Sequence, residues 1–466
     1  MQMKKPTLSV FMLGMMNVAI IMSLRGLPLM AKEGFSLVFY LLFSILVFLI
    51  PTSLVSAELA TGWPEHGGVY RWVKEALGDH AGFLAIWLQW IQNVIWYPTI
   101  LAFAAGSLAY LFLDPGLAQN KLYTVLVILG VYWGATFINF KGIRASGWVT
   151  TLAVLMGTIF PAVLLLVLAA IWIFQGGSLA LAQGGSFIPD LSEFSNVSFL
   201  AGIVLLFAGM EVTAVHASEV KNPKTDYPKA IFFSAGLIFV IFLLGSLSIA
   251  LLIPSSEISL TAGMMQGFKD ILEKLHLGFL VPVTGFLVAF GALGGVTAWI
   301  IGPSKGLYST ARLGDLPPFL AKTNAKGVPT TILLIQGGVV TLLSMLYLLM
   351  PTVSSAFFLL TALTAILYLL MYILLFTTGI KLRYSHPEVE RTYRIPGKNV
   401  GMWIVGGLGI CGALFAIFVG LFPPAQLPIG SPLFYTLFLL IGVLIAVIIP
   451  ILIISLRKPG WKKPEE

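Results

Sequence analysis

Two side chains carry charge where the surrounding sequence is almost pure hydrocarbon. Arg25 stands in IIMSLRGLPLMAKEG and Glu211 in FLAGIVLLFAGMEVTAVHASEV. An ionisable group inside a bilayer is expensive and persists where it meets a partner or a water-filled cavity. A guanidinium stays charged at any relevant pH, so Arg25 requires water, a carboxylate, or both. Two roles satisfy that requirement: a structural ion pair, with Glu211 as the candidate partner, or a clamp on an acidic substrate side chain. Glu211 in turn fits either a gate that responds to protonation or a packing anchor for its helix. Each charge also has helix-loosening neighbours. Gly26 and Pro28 flank Arg25, and Ala208-Gly209 immediately precedes Met210-Glu211. Proline removes a backbone donor and clashes with the preceding turn. The spacing therefore predicts unwinding near residues 21–26 and 207–211, the pattern of discontinuous helices that carry substrate sites in secondary transporters.

The rest of the chain supplies the setting. It has 466 residues, of which 58% are hydrophobic and 10% charged; an average soluble domain carries about 25% charged residues. Mean hydropathy is +0.97. These values define an all-α, polytopic membrane protein. The net charge of +8 does not imply nucleic acid, because the cations fall in short loops, where they set topology. A single cysteine, Cys411, excludes a disulfide framework. No metal-spaced cluster, P-loop or nucleophile elbow is present, so neither catalytic residues nor a cofactor or metal is expected. The absence of a Walker motif points to secondary transport.

A membrane-crossing helix needs roughly 20 apolar residues. Twelve segments qualify: 7–31, 36–60, 81–112, 122–140, 147–175, 197–218, 229–253, 278–303, 329–350, 353–380, 401–423 and 432–456. With the N-terminus in the cytoplasm, only Lys32, Lys121, Lys269 and Lys274 fall outside and Arg25 lies within the membrane. The other 22 of the 27 lysines and arginines fall inside. That asymmetry supports twelve spans with both termini cytoplasmic. Segment 1 is read as a retained helix and not a signal peptide, since no small-residue cleavage site follows it. Residues 61–80 read as a short interfacial helix on the inner side. Residues 254–277 read as an amphipathic helix on the outer side, with Ser259 or Thr261 as its cap. The loop after segment 6 is basic and holds Pro223 and Pro228.

Segments 1 and 6 each begin a group of five and start on opposite sides. The arrangement predicts a five-plus-five inverted repeat, with helices 1–5 in residues 1–175 and helices 6–10 in 197–380. Two extra helices follow in 401–456, all forming one transport domain over 1–466. No residue-level repeat accompanies this symmetry of placement.

The stretch FAGMEVTAVHASEVKNPKTDYPKA resembles the helix 6 signature of the amino acid–polyamine–organocation (APC) superfamily, a G-x-E followed by an N-P-x-x-x-x-P loop. GGVYRWV, AWIIGPSKGLYSTA, KGVPTTILLIQ and HPEVERTYRIPGK resemble the glutamate/GABA antiporter family, and the likeness runs from helix 1 to helix 11. The resemblance implies an amino acid antiporter with small-molecule amino acid or amine substrates, in a bacterial inner membrane. It exchanges glutamate or a related amino acid for another amino acid or its decarboxylated amine. A proton-coupled permease and a transporter-like sensor are the competing readings.

By position, the resemblance puts the substrate carboxylate at the backbone of Ile21, Met22 and Ser23, where a half-helix N-terminus presents free N–H groups. It puts the substrate ammonium at the carbonyls of Phe207 and Ala208, beside Gly209. Trp299 matches a helix 8 tryptophan lining the family's cavity, and Asn93 in WIQNVIW a helix 3 polar position. Both also have plain structural readings, as a bundle aromatic and as a buried amide with a protein partner. His216 reads as a core histidine, and Lys305 as a side chain that snorkels to the inner face or pairs near the inner gate. The sequence departs from the family in two ways: Arg25 stands where an aromatic residue is usual, and about ten residues after segment 12 leave no room for the family's C-terminal plug.

Overall fold

The computed structural model describes residues 8–64, 67–140, 152–176, 186–214, 220–458 and 461. Among them, eleven helices are long and apolar enough to cross a membrane. The first predicted span is missing from that number because it is cut in two. Helix α1 (Val10–Ile21) opens on Ser9, whose hydroxyl accepts the Met12 N–H at 3.1 Å. It stops because Met22 and Ser23 adopt extended backbone, ψ 111° and 119°. One 3-10 turn over Leu24–Gly26 follows, then the short α2 (Leu27–Ala31), with Pro28 in its first turn, where a missing N–H does no harm. Counting this interrupted helix, the spans number twelve.

The second span is α3 (Gly34–Gly62), and the interfacial helix predicted within 61–80 is α4 (Val69–Leu77). Then come α5 (Asp79–Leu111), α6 (Lys121–Phe140) and α7 (Leu152–Phe174). The sixth span is interrupted like the first. Helix α8 (Phe199–Leu205) tightens into i→i−3 bonding at Leu206, Phe207 and Ala208, and α9 (Met210–Ala214) restarts after Gly209. Gly209 has φ 121°, a conformation essentially reserved for glycine. His216 lies outside the described residues.

Helix α10 (Pro223–Ala250) begins earlier than the hydrophobicity indicated. Pro223 occupies its first turn and Pro228 its second, so the proline-bearing loop is largely helix. The amphipathic helix predicted within 254–277 is α11 (Gly263–Lys274), and neither predicted residue caps it: Ala262 holds the N-cap position without a side-chain bond. Ser259 staples the preceding turn instead, its hydroxyl accepting the Ala262 N–H at 3.2 Å. The remaining helices are α12 (Gly278–Arg312), α13 (Thr330–Leu349), α14 (Val353–Ser385), α15 (Lys398–Gly420) and α16 (Pro432–Ser455).

Helix α5 stands at the centre of the bundle, packed against α12 and against α14. Helices α15 and α16 lie at its edge and leave Val400, Ile404, Leu433 and Leu444 exposed, as lipid-facing helices do. Close backbone approaches set the spacing. Gly106 of α5 meets the backbone of Thr261, and Gly157 of α7 meets that of Gly291 in α12. Small residues permit such contacts in membranes, where packing replaces the hydrophobic drive.

Two polar knots close the ends. On the face bearing α4, Glu58 of α3 accepts from Arg383 of α14, both side chains fully buried, and from the Ile395 N–H at 2.8 Å. Arg391 approaches the same carboxylate at 3.5 Å, stacks 5.0 Å from the Trp63 ring and donates to the Leu382 carbonyl at 2.9 Å. On the opposite face, the Lys32 ammonium donates to the carbonyls of Ser255 (2.8 Å) and Ile258 (3.2 Å), and Ser256 lies at 3.5 Å.

Candidate substrate site

The two helix breaks face each other across a central pocket of about 80 Å³. Ile21, Ser23 and Arg25 reach it from the first break and Leu205, Leu206 and Ala208 from the second. Gln92, Asn93 and Trp96 come from α5, Trp299 from α12 and Tyr368 from α14. Six of the predicted site residues thus meet in one cavity. Met22 lines an adjoining cavity instead. Phe207 and Gly209 line neither; Phe207 is fully buried, its ring 5.5 Å from Phe242. Around the first break, only Met22 and Gly26 among residues 22–26 donate to backbone carbonyls, to Val18 (2.8 Å) and Ser23 (3.2 Å).

Arg25 is 4% exposed and makes no ion pair among the described residues. One Nη1 donates to Thr99 Oγ1 of α5 at 3.2 Å and to Thr361 Oγ1 of α14 at 3.4 Å. Its guanidinium carbon lies 5.9 Å from the Trp96 ring centre and 5.5 Å from that of Phe357. The Nε–H is buried without an acceptor, and so is the Asn93 side-chain amide nitrogen. Two residues that line the pocket thus each carry a donor without a partner. A buried donor without a partner is costly, and an acceptor-rich ligand removes that cost.

The structural pairing of Arg25 with Glu211 is not what forms. Glu211 is 2% exposed and its carboxylate is taken up elsewhere. Gln89 Nε2 donates to it at 3.1 Å, and the hydroxyls of Tyr368 and Tyr372 donate one to each oxygen. The Tyr372 hydroxyl also accepts the Gly209 N–H at 2.7 Å. One tyrosine thus satisfies the broken helix 6 and ties it to the acid. Glu211 stands at the inner end of a larger vestibule, about 670 Å³, that opens past Gly67, Gly68 and Lys305 on the α4 face. Trp299 lines both vestibule and central pocket. Its carbonyl accepts from the Tyr97 hydroxyl at 2.8 Å and its ring lies 6.4 Å from Trp96.

Gln89, Trp96, Tyr368 and Tyr372 escaped the sequence reading. A signal existed for three of them. Trp96 follows Asn93 by three residues, and Tyr368 precedes Tyr372 by four, spacings that put both members on one helix face. Nothing in the sequence says that those faces converge on Glu211.

A bundle with two interrupted helices around a polar pocket, reached by a vestibule from one face, is the architecture of a secondary transporter. A family model described as amino acid permease matches residues 6–445, and the chain belongs to that family within the APC superfamily. A glutamate/gamma-aminobutyrate antiporter of Lactococcus lactis subsp. lactis is 33% identical over 91% of this chain and 86% of its own length. An uncharacterised transporter of Legionella pneumophila is 45% identical over 91% of each chain. A probable agmatine/putrescine antiporter of Lactococcus lactis is 26% identical over 79% of this chain and 78% of its own. The protein is a membrane transporter of amino acids or amines, not an enzyme.

Proposed function

We propose that the protein exchanges glutamate, or a closely related acidic amino acid, for another amino acid or its decarboxylated amine by alternating access. One observation carries the reading. Arg25 is a buried cation that lines the central pocket, and its only hydrogen-bond acceptors among the described residues are two neutral threonine hydroxyls. A substrate carboxylate supplies the missing charge through a charge-assisted contact. The α-carboxylate then lies against the Ser23 end of the first break and the α-ammonium against the carbonyl of Ala208. Trp299 closes the pocket from the vestibule. Glu211 and its tyrosines couple closure to protonation. The vestibule is cytoplasmic in this reading, with both termini inside a bacterial inner membrane and two five-helix repeats of opposite orientation rocking about the pocket.

The test is counterflow in proteoliposomes. Internal glutamate should accelerate uptake of labelled glutamate. Arg25→Gln should lose acidic substrates selectively, by a factor of ten or more, while any neutral substrate survives. Equal loss of acidic, neutral and basic substrates would reduce Arg25 to a structural role and remove the basis for an acidic substrate. Uptake that depends on a proton gradient but ignores internal substrate would favour a proton-coupled permease.

A further inference from the structure

The central pocket has a neighbour that an amino acid does not fill. A second cavity, about 250 Å³, shares Ser23, Arg25, Trp96 and Trp299 with it and runs outward between α1, α7, α10 and α12. Beyond Arg25 the wall is nearly all hydrocarbon, including Val18, Leu166, Leu237, Ile241 and Val288. Gly157, pressed on Gly291, lies in the wall within a π-helical turn (Leu155–Ile159) of α7. The far end reaches the outer surface of the bundle at Met15, Ile159 and Val163, which are 37%, 39% and 54% exposed. Ile159 and Val163 belong to the α7 span and Met15 to the interrupted first helix, so the mouth lies between two membrane-crossing helices and, by that placement, faces lipid.

An occupant must satisfy both ends at once. The inner end offers the Arg25 guanidinium, whose acceptors among the described residues are two neutral threonine hydroxyls. The outer end offers an apolar slot continuous with the bilayer. A hydrophobic amine matches the slot but is repelled by Arg25. An apolar amino acid can set its α-carboxylate on the guanidinium, but it then carries an α-ammonium into a wall that is nearly all hydrocarbon. A zwitterionic phospholipid cannot bring its headgroup to mid-membrane while its chains stay aligned with the leaflet. We propose that this lateral cavity binds a single-chain carboxylate, a fatty acid entering from the membrane, with its carboxylate on Arg25 and its chain leading out past Val163. Because lipid is already as apolar as the slot, the tail contributes fit and little transfer energy. Selectivity lies in the charge-assisted head contact. Since Arg25 also serves the proposed substrate, a bound fatty acid excludes glutamate. The binding itself stands on the cavity and on Arg25 alone, whatever the transported solute proves to be.

The test uses the full chain in proteoliposomes with a photoreactive fatty acid carrying a mid-chain diazirine, its carboxylate free, and a phosphatidylcholine with the same diazirine as control. Crosslinks are mapped by mass spectrometry. The fatty acid should label peptides of α1, α7 and α10 lining the slot at least tenfold above its labelling of α15 and α16, and the phosphatidylcholine should not. Ala162→Phe, which fills the slot, and Arg25→Gln should each remove the excess while labelling of α15 and α16 stays the same. Should either variant fail to fold, competition on the wild type decides: dodecanoate should displace the probe and dodecanol should not. Labelling no higher in the slot than on α15 and α16, or equal displacement by acid and alcohol, overturns the proposal. Equal slot labelling by phosphatidylcholine overturns it too, since an ordinary acyl chain is then the occupant. Protection by glutamate bears on the transport reading: slot labelling that glutamate leaves unchanged removes glutamate from the Arg25 site and leaves the fatty acid there.

Discussion

Gly209 has the narrowest tolerance at the residue scale. Its φ of 121° and its N–H bond to Tyr372 hold the second helix break open. Any side chain there strains the backbone by about 1–3 kcal/mol. Gly209→Ala should lower the unfolding temperature and slow transport together, whereas Gly295→Ala, whose added methyl meets open space, should leave the unfolding temperature unchanged. Trp299 makes a different kind of contribution. It lines both the central pocket and the vestibule, so Trp299→Ala should abolish counterflow in a protein that still inserts and purifies as a monodisperse species. Wild-type counterflow in that variant would make Trp299 a packing residue only. The sequence exposed Arg25 and Glu211 because charge in hydrocarbon is conspicuous. It could not show that they ignore each other. Thr99 and Thr361, which hold the guanidinium, are 74 and 336 residues away from it, and a hydroxyl in a helix carries no mark of its distant partner.

The breaks in helices 1 and 6 were legible at the scale of elements, because glycine and proline beside an intramembrane charge leave few other outcomes. The knot on the α4 face was not. Glu58, Arg383 and Arg391 lie in three separate stretches, and each looks like an ordinary interfacial charge. In the fold, the Arg383 side chain is fully buried and joins α3 to α14, while its Nη2 also donates to the Ile395 carbonyl at 3.0 Å. Removing the acid strands two buried cations, at a cost of roughly 3–5 kcal/mol. Glu58→Gln should therefore reduce thermal stability more than any single substitution of a lipid-facing leucine in α16.

At the opposite end, burial pushes the Glu33 carboxyl up to about 8, opposed by the Tyr40 hydroxyl and the Lys32 ammonium. Gln426 Nε2 donates to this carboxyl at 3.2 Å. A carboxyl whose pKa is raised on folding binds more protons in the native state, so its contribution to stability falls as pH rises from the unfolded value through 8. Glu33→Gln should flatten that part of the stability profile, with the largest gain over wild type above pH 8. Profiles that run parallel for the two proteins would show that Glu33 is ionised throughout.

The asymmetry of lysine and arginine predicts an orientation for the whole molecule, and that orientation is easy to test. Cys411 is the only cysteine, so Cys411→Ser gives a background for single reporters. In right-side-out cells, a cysteine at Lys121 or Lys269 should react with an impermeant maleimide, and one at Lys224 or Lys326 only after permeabilisation. The reverse result would invert the vestibule and every statement of sidedness that follows from it.

Lys32 carries one more consequence. Its ammonium occupies a ring of backbone carbonyls of the kind that elsewhere coordinates a dissolved alkali cation, and it is 7% exposed. A cation joined to the chain has no concentration to vary and cannot be exchanged with the medium. The tie from the end of helix 1 to the carbonyls of Ser255 and Ile258 is thus the same in sodium, potassium or choline, and the identity of the bulk salt has no purchase on it.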